Sequence, residues 1–333
     1  MSHPGFHHPI SNDPGSTFTP EKDRYHLYTS LACPYSQRTI VMRALKGLED
    51  IIGLSITDCR RTDKGLKFSS PEEMPGCIPD TVNNFTYVYE LYQKADPKYD
   101  KTFTVPILWD KKLGTIVNNE SPEIMRIFDK AFDKLCPEEN QKSYYPEPLC
   151  AEIDEIDNWT KFEESALICG ITKTQKEYDE NVAIVFGILD KIEETLSKKQ
   201  FLTGTIFTGA DIRLWPMIVR FDPICVTTLK CNLKLIRTDY PNILRWAREI
   251  YQMPKIADTL NMHHCKLLLP PGVDDSIIPI YDGPECTIQL HHYTLQDEID
   301  KGTICLFANK SDPKELFATL HNLDEECLEK VCF

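Results

Sequence analysis

One cysteine lies between a predicted strand and a predicted helix near the start of the chain, and this junction restricts the fold more than any other feature. The strand pattern covers residues 24–31 and the helix pattern covers residues 36–48, with Cys33 and Pro34 between them. A thiol in this position meets the free N–H groups of a helix N terminus, which favour a thiolate. Proline suits the first helical turn, where its missing N–H has no partner to lose.

The local context leaves two interpretations of Cys33 open: a reactive nucleophile or a buried structural cysteine. Position 36 is Ser36, so the chain has no second thiol at CxxC spacing. This pattern argues against a dithiol oxidoreductase. It favours a single thiol that takes its partner sulfur from a small molecule.

Composition narrows the class of protein. The chain has 333 residues, enough for two domains, and it carries a net charge of −14 and 13 cysteines. The acidic balance argues against a nucleic-acid partner, and no segment is apolar over a membrane-spanning length. The cysteines are odd in number and irregularly spaced, and no signal-like segment precedes them, which predicts reduced thiols and a cytoplasmic location. The cluster of His263, His264 and Cys265 lacks zinc-ligand spacing, so we expect no metal.

The order of strand and helix patterns predicts two domains. Residues 1–23 are rich in Pro, His, Gly and Ser and are predicted to form a flexible arm. Residues 24–132 follow the order βαβ–α–ββα, typical of an α/β thioredoxin-like domain. A linker with three prolines (133–150) precedes an all-α domain (151–264), whose apolar residues recur three and four positions apart. Residues 265–333 are predicted to be a C-terminal extension.

Seven short motifs between residues 20 and 264 carry a resemblance to a known family. They are SLACP (30–34), GLED (47–50), TVPILWD (104–110), IVNNES (116–121), ADIRL (210–214), RFDP (220–223) and KCNL (230–233). Together with the domain order, they resemble the Xi class of the glutathione transferase superfamily, which comprises the glutathionyl-hydroquinone reductases. The resemblance implies the glutathione transferase fold, glutathione as co-substrate, and a homodimer formed through the helical domain.

The resemblance also implies a mechanism and a glutathione site. Cys33 would attack the glutathione sulfur of a glutathionyl-hydroquinone, and a second glutathione would then resolve the mixed disulfide. Val105, before a cis Pro106, would bind the cysteinyl part of glutathione, and Glu120 with Ser121 would bind its γ-glutamyl group. The full set of glutathione-binding residues expected is Pro34, Tyr35, Leu66, Lys101, Val105, Pro106, Glu120 and Ser121. The Val105–Pro106 motif also fits the end of an edge strand, and the Glu120–Ser121 motif also fits a simple helix N-cap.

Several positions depart from the family pattern. Leu66 replaces a tryptophan that covers glutathione, and Lys101 replaces an arginine. Three tyrosines on the quinol side align with Leu167, Cys225 and a segment around Leu268. Neither Leu nor Cys can give a quinol oxygen the hydrogen bond of a phenol, so the pocket for the second substrate is expected to be more apolar.

Three functions are therefore consistent with the sequence. The first is a thiol transferase or reductase that uses Cys33 on a glutathionylated substrate, hydroquinone-like or more apolar. The second is a repurposed fold that binds an apolar small molecule with little turnover. The third is a structural or partner-binding protein. The retained cysteine and the Val105–Pro106 and Glu120–Ser121 motifs favour the first, whereas the lost aromatic residues favour the second.

Overall fold

The first of two units is built on a four-stranded sheet. The computed structural model describes residues 5–267, and residues 5–150 with 259–267 form this unit. Its elements before residue 150 are β1 (Tyr25–Ser30), α1 (Pro34–Leu45), β2 (Gly53–Thr57), β3 (Arg61–Thr62), β4 (Gly65–Leu66), α2 (Val88–Ala95), β5 (Ile107–Asp110), β6 (Thr115–Asn118) and α3 (Ser121–Lys130).

The sheet has the strand order β2–β1–β5–β6. Strand β1 pairs in parallel with β2 across the α1 connection and antiparallel with β5, while β5 and β6 form an antiparallel hairpin. Every residue of β1 is buried, as expected for a central strand covered on both faces. The α/β thioredoxin-like fold predicted for this part is confirmed. Strands β3 and β4 form a separate short antiparallel hairpin.

Residues 5–23 are packed, which corrects the prediction of a flexible arm. Phe6, Ile10 and Phe18 are each only 6% exposed. The segment is also held by main-chain contacts, because His8 N donates to Val117 O at 3.0 Å. The composition of this segment is typical of a flexible arm, but its few large apolar side chains are enough to anchor it.

The predicted linker over 133–150 also belongs to the first unit and is ordered by the end of α3. The Asp129 carboxylate accepts hydrogen bonds from Ser143 Oγ at 2.6 Å and from Tyr144 N at 2.7 Å. Tyr145 is 3% exposed. These long-range contacts fix a segment whose prolines suggested only a connection.

The second unit, residues 151–258, is helical. Its helices are α4 (Cys150–Trp159), α5 (Glu163–Ile171), α6 (Gln175–Lys198), α7 (Gly209–Ile218), α8 (Ile236–Asp239) and α9 (Pro241–Tyr251), with a π-helical turn over Phe221–Val226. The apolar positions that predicted α6 are its buried face: Val182, Val185, Phe186, Leu189, Ile192 and Leu196. Within the described part of the chain, no helix combines the length and apolarity needed to cross a bilayer.

Residues 259–267 return to the first unit, although the sequence assigned positions up to 264 to the helical domain. Here a helix covers Met262–Leu267. His264 Nε2 lies 2.7 Å from Pro75 O, and Cys265 Sγ lies 3.5 Å from Leu31 O. These partners are too distant in sequence for a local pattern to reveal. The remainder of the predicted C-terminal extension, from residue 268, lies outside the described residues.

Asp58, directly after β2, is a buried carboxylate held by Arg60. Its oxygens accept from Arg60 Nε at 3.0 Å and Nη2 at 2.6 Å, and from Ser69 Oγ at 3.1 Å. The hydrogen bonds from Arg60 lower the pKa of Asp58 to about 2. Since this pKa lies below that of the unfolded chain, the stabilisation is complete above about pH 4 and is lost as the pH falls towards 2.

We therefore expect Asp58→Asn to remove part of the acid sensitivity of the protein. Arg60 is 54% exposed, so solvent screening limits the expected contribution to about 1 kcal/mol at neutral pH. Urea unfolding of wild type and variant at neutral pH and near pH 3 measures it, with Asp63→Asn, an exposed carboxylate nearby, as control. If the free energies of unfolding of wild type and Asp58→Asn differed by the same amount at both pH values, Asp58 would not be a source of the acid sensitivity.

Candidate functional site

Cys33 caps the first helix of the thioredoxin-like unit. Its backbone is extended, with φ −82° and ψ 120°, and Pro34 follows in the first turn of α1. Ser36 N donates to Cys33 Sγ at 3.5 Å, and Ser36 Oγ accepts from Ser30 N at 3.2 Å. Ser36 thus ties the end of β1 to the helix start and directs an N–H group at the sulfur. Cys33 is partly exposed.

The strand end opposite Cys33 is the Val105–Pro106 segment. The peptide bond between these residues is cis, the geometry that the resemblance implied. Cys33 Sγ lies 3.6 Å from Val105 O. Val105 and Leu66 are buried in the same apolar cluster, and Cys33 packs against that cluster. Leu66 is only 8% exposed.

The Glu120–Ser121 pair lies at the N terminus of α3. Glu120 is the N-cap residue, and its N–H donates to Asn118 Oδ1 at 2.8 Å. Within residues 5–267, neither the Glu120 carboxylate nor the Ser121 hydroxyl has a hydrogen-bond partner. Desolvation raises the pKa of Glu120, while His7 and Lys101 oppose this rise. Lys101 therefore lies within electrostatic reach of Glu120. Together, the Lys101 ammonium and the Glu120 carboxylate offer opposite charges to the carboxylate and the ammonium of an amino acid.

A buried tyrosine connects these two parts of the site. Tyr92 OH donates to Thr104 O at 2.9 Å, directly before Val105, and accepts from Asn119 Nδ2 at 3.3 Å, directly before Glu120. Burial raises the pKa of Tyr92 to about 12, so its hydroxyl remains a donor at neutral pH. Sequence reasoning missed Tyr92, and no local signal marks it, because its partners come from two other segments.

We expect Tyr92→Phe to lower the free energy of unfolding by about 1 to 2 kcal/mol, because Thr104 and Asn119 lose a buried partner. The KM for glutathione should rise with it. Tyr25→Phe is the matched control: this buried hydroxyl donates to Thr19 O at 2.7 Å in the same unit. Urea unfolding and steady-state kinetics measure both variants. If the KM for glutathione rose equally in Tyr92→Phe and Tyr25→Phe, the connection between Thr104 and Asn119 through Tyr92 would have no specific role in glutathione binding.

Tyr35 is the most exposed of the predicted glutathione-binding residues near Cys33. Its ring is 42% exposed, and the Arg38 guanidinium carbon lies 4.7 Å from the ring centroid. Arg38 itself is buried. This stacking holds the Tyr35 ring in the first turn of α1, two residues after Cys33.

The residues predicted for the second substrate have unlike surroundings. Leu167 on α5 is 42% exposed. Cys225 is 3% exposed in the π-helical turn, and burial raises the pKa of its thiol to about 12. Leu268 lies outside the described residues. The shared pocket stays a prediction for these positions. No group of three His, Cys, Asp or Glu side chains in the described ranges is placed to hold a metal.

Comparison with known families matches both units. The model of the glutathione S-transferase N-terminal domain matches residues 32–131, and that of the C-terminal domain matches residues 175–249.

Individual relatives agree with these matches. The glutathionyl-hydroquinone reductase YqjG of Escherichia coli is 45% identical over 259 residues, which cover 76% of this chain and 77% of the relative. The crystal structure of the glutathione transferase Xi from Phanerochaete chrysosporium is 42% identical, with a TM-score of 0.77, and the match covers 84% of this chain and 99% of that one. The glutathione-bound structure of YqjG is 44% identical, with a TM-score of 0.74, and covers 78% and 86%.

Proposed function

Since this chain belongs to the Xi class of the glutathione transferase family, we propose that it is a glutathione-dependent reductase that uses Cys33 to remove glutathione from glutathionylated hydroquinones or related, more apolar substrates. The observation that carries the proposal is the placement of Cys33 Sγ, 3.5 Å from Ser36 N and 3.6 Å from Val105 O. The thiol of a partly exposed cysteine therefore lies beside both an N–H donor and the strand end expected to bind glutathione.

In the first step, the Cys33 thiolate attacks the glutathione sulfur of the substrate. A sulfur–sulfur bond forms, and the bond between that sulfur and the ring carbon breaks. The electron pair goes to the ring carbon, which takes up a proton and leaves as part of the hydroquinone. The substrate is reduced, and Cys33 is oxidised to a mixed disulfide with glutathione.

In the second step, the thiolate of another glutathione attacks the mixed disulfide. Glutathione disulfide leaves, and the Cys33 thiolate is restored. One protein thiol is enough for this cycle, which agrees with Ser36 at the position of a second cysteine.

The other residues bind and orient glutathione. The main chain of Val105 pairs with its cysteinyl part, as an added strand would. The helix N terminus and hydroxyl at Ser121 receive the γ-glutamyl carboxylate, and the Glu120 carboxylate receives the ammonium. Lys101 supplies a positive charge, and Tyr35 borders the sulfur. Pro34, Leu66 and Pro106 contribute apolar side chains to the surface that faces glutathione.

Three further proposals concern the surroundings of the reaction. The family pattern supports a more apolar contact surface for the second substrate, with Leu, Cys and Leu at positions 167, 225 and 268 in place of tyrosines. The family resemblance supports a homodimer through the helical unit. The odd number and irregular spacing of the cysteines support a cytoplasmic location, and the acidic net charge supports small molecules rather than nucleic acids or membranes as partners.

The test is turnover of glutathionyl-menadiol by the full chain in the presence of glutathione, with menadiol and glutathione disulfide both quantified. The proposal predicts that the two products form in equal amounts. Absence of turnover for this quinol and for more apolar glutathionyl conjugates would overturn it and favour a ligand-binding protein.

A further inference from the structure

The N-terminal segment lies directly against the turn that leads to Glu120. His7 forms an antiparallel bridge with Asn118, the last residue of β6, and Asn119 N donates to Phe6 O at 3.2 Å. Residues 5–8 therefore extend the sheet by a short antiparallel stretch. That stretch ends where the Glu120–Ser121 pair begins.

Phe6 fixes the Asn119 side chain from one side. Phe6 N donates to Asn119 Oδ1 at 3.2 Å, while Asn119 Nδ2 donates to Tyr92 OH at 3.3 Å. The Phe6 ring is 6% exposed and stacks on Tyr99, with 5.6 Å between centroids and 24° between planes. Both ends of the Asn119 amide are thus used, and one of them depends on the N-terminal segment.

His7 reaches the same turn through a carboxylate. His7 Nδ1 lies 2.9 Å from Glu123 Oε1, and Asn118 Nδ2 donates to Glu123 Oε2 at 2.6 Å. Asn118 Oδ1 in turn accepts from Glu120 N at 2.8 Å. A continuous series of polar contacts therefore joins the His7 ring to the main chain of Glu120.

We propose that Phe6 and His7 are positioning residues for the γ-glutamyl end of the glutathione site. They hold the turn from Asn118 to Ser121 in the conformation that receives the amino-acid group of glutathione. The inference rests on the proposed function, because it assigns that group to Glu120 and Ser121. It adds a role for a segment that lies more than a hundred residues away in sequence.

The experiment compares two unreactive ligands by calorimetry: S-methylglutathione, and S-methylcysteinylglycine, which lacks the γ-glutamyl group. The test variants are Phe6→Ala, which removes the ring that anchors the segment on Tyr99 but keeps the main-chain donor to Asn119, and His7→Gln, which replaces the ring that contacts Glu123. Phe18→Ala is the control for the first, because Phe18 has the same 6% exposure in the same segment. His8→Gln is the control for the second, because His8 contacts β6 through main-chain atoms.

We expect wild type to prefer S-methylglutathione. Phe6→Ala and His7→Gln should lower the affinity for S-methylglutathione about 5- to 10-fold, because binding must then order the turn. The affinity for the dipeptide should not change. Both controls should keep the wild-type preference. His7→Gln alters a side chain that is 47% exposed, so this variant tests the proposal even where Phe6→Ala unfolds.

Two results would overturn the proposal while leaving the proposed function intact. In the first, the test variants keep the wild-type preference for S-methylglutathione. In the second, they lower the affinity for both ligands equally, and this result would indicate a general structural role. If wild type binds neither ligand, the assignment of the γ-glutamyl site and the proposed function fail together.

Discussion

Cys33→Ser is expected to lower turnover of a glutathionylated quinol by about a thousandfold or more, since it removes the nucleophile of the reaction. A serine hydroxyl is not ionised at neutral pH and cannot form the mixed disulfide. The substitution is nearly isosteric, and Ser36 N can donate to the new oxygen, so the fold and the binding of S-methylglutathione should persist. Steady-state kinetics and calorimetry on the same preparations measure the two effects separately.

Cys150→Ser is the matched control. Cys150 is also a partly exposed free thiol, but its sulfur lies 3.4 Å from Tyr145 O, away from the glutathione-binding motifs in sequence. This variant should retain wild-type turnover. Equal activity of Cys33→Ser and wild type would exclude the thiol mechanism.

Asp211→Ala is expected to lower the free energy of unfolding by about 3 to 5 kcal/mol, because it removes a buried carboxylate that several donors share. Asp211 Oδ1 accepts from Leu202 N at 3.0 Å and from Trp246 Nε1 at 2.8 Å. Asp211 Oδ2 accepts from Thr208 N at 3.0 Å, which completes the start of α7. The variant leaves these donors buried without an acceptor.

The measurement is urea unfolding at a pH well above 6, because burial raises the pKa of Asp211 to about 6 and the ionised form must dominate. Asp179→Ala is the control, since this carboxylate on α6 accepts a single exposed hydrogen bond from Gln175. It should change stability by less than about 0.5 kcal/mol. A loss of only about 1 kcal/mol in Asp211→Ala would mean that its donors find other acceptors.

Local patterns predicted those parts of the fold whose causes are local. The spacing of apolar residues predicted the helices of the second unit, and in α6 these residues are the buried face. The strand, Cys33 and α1 follow one another as the sequence indicated. In each case the interacting residues lie within one or two turns of the chain.

Long-range contacts account for the parts that the sequence did not predict. Phe6 bonds to Asn119 across 113 positions, and His264 bonds to Pro75 across 189. Neither contact leaves a periodic signal, so the first segment was predicted to be a mobile arm and residues 259–264 were assigned to the other domain. Composition alone cannot distinguish a segment held by long-range contacts from a flexible one.

The same division applies to the candidate site. Motifs marked Cys33, Val105 and Glu120, whereas the hydroxyl of Tyr92 that connects the last two had no signal. The substitutions at Leu167 and Cys225 are visible in the sequence, but their effect depends on which surfaces the substrate meets. Those positions therefore require binding and kinetic measurements.

The role of Cys33 as nucleophile is tested by peptide mass mapping of the full chain after exposure to glutathionyl-menadiol without free glutathione. We expect one glutathione, attached to Cys33 and released as glutathione disulfide when glutathione is added. Turnover without an adduct at Cys33, or an adduct at another cysteine that persists through turnover, would contradict it.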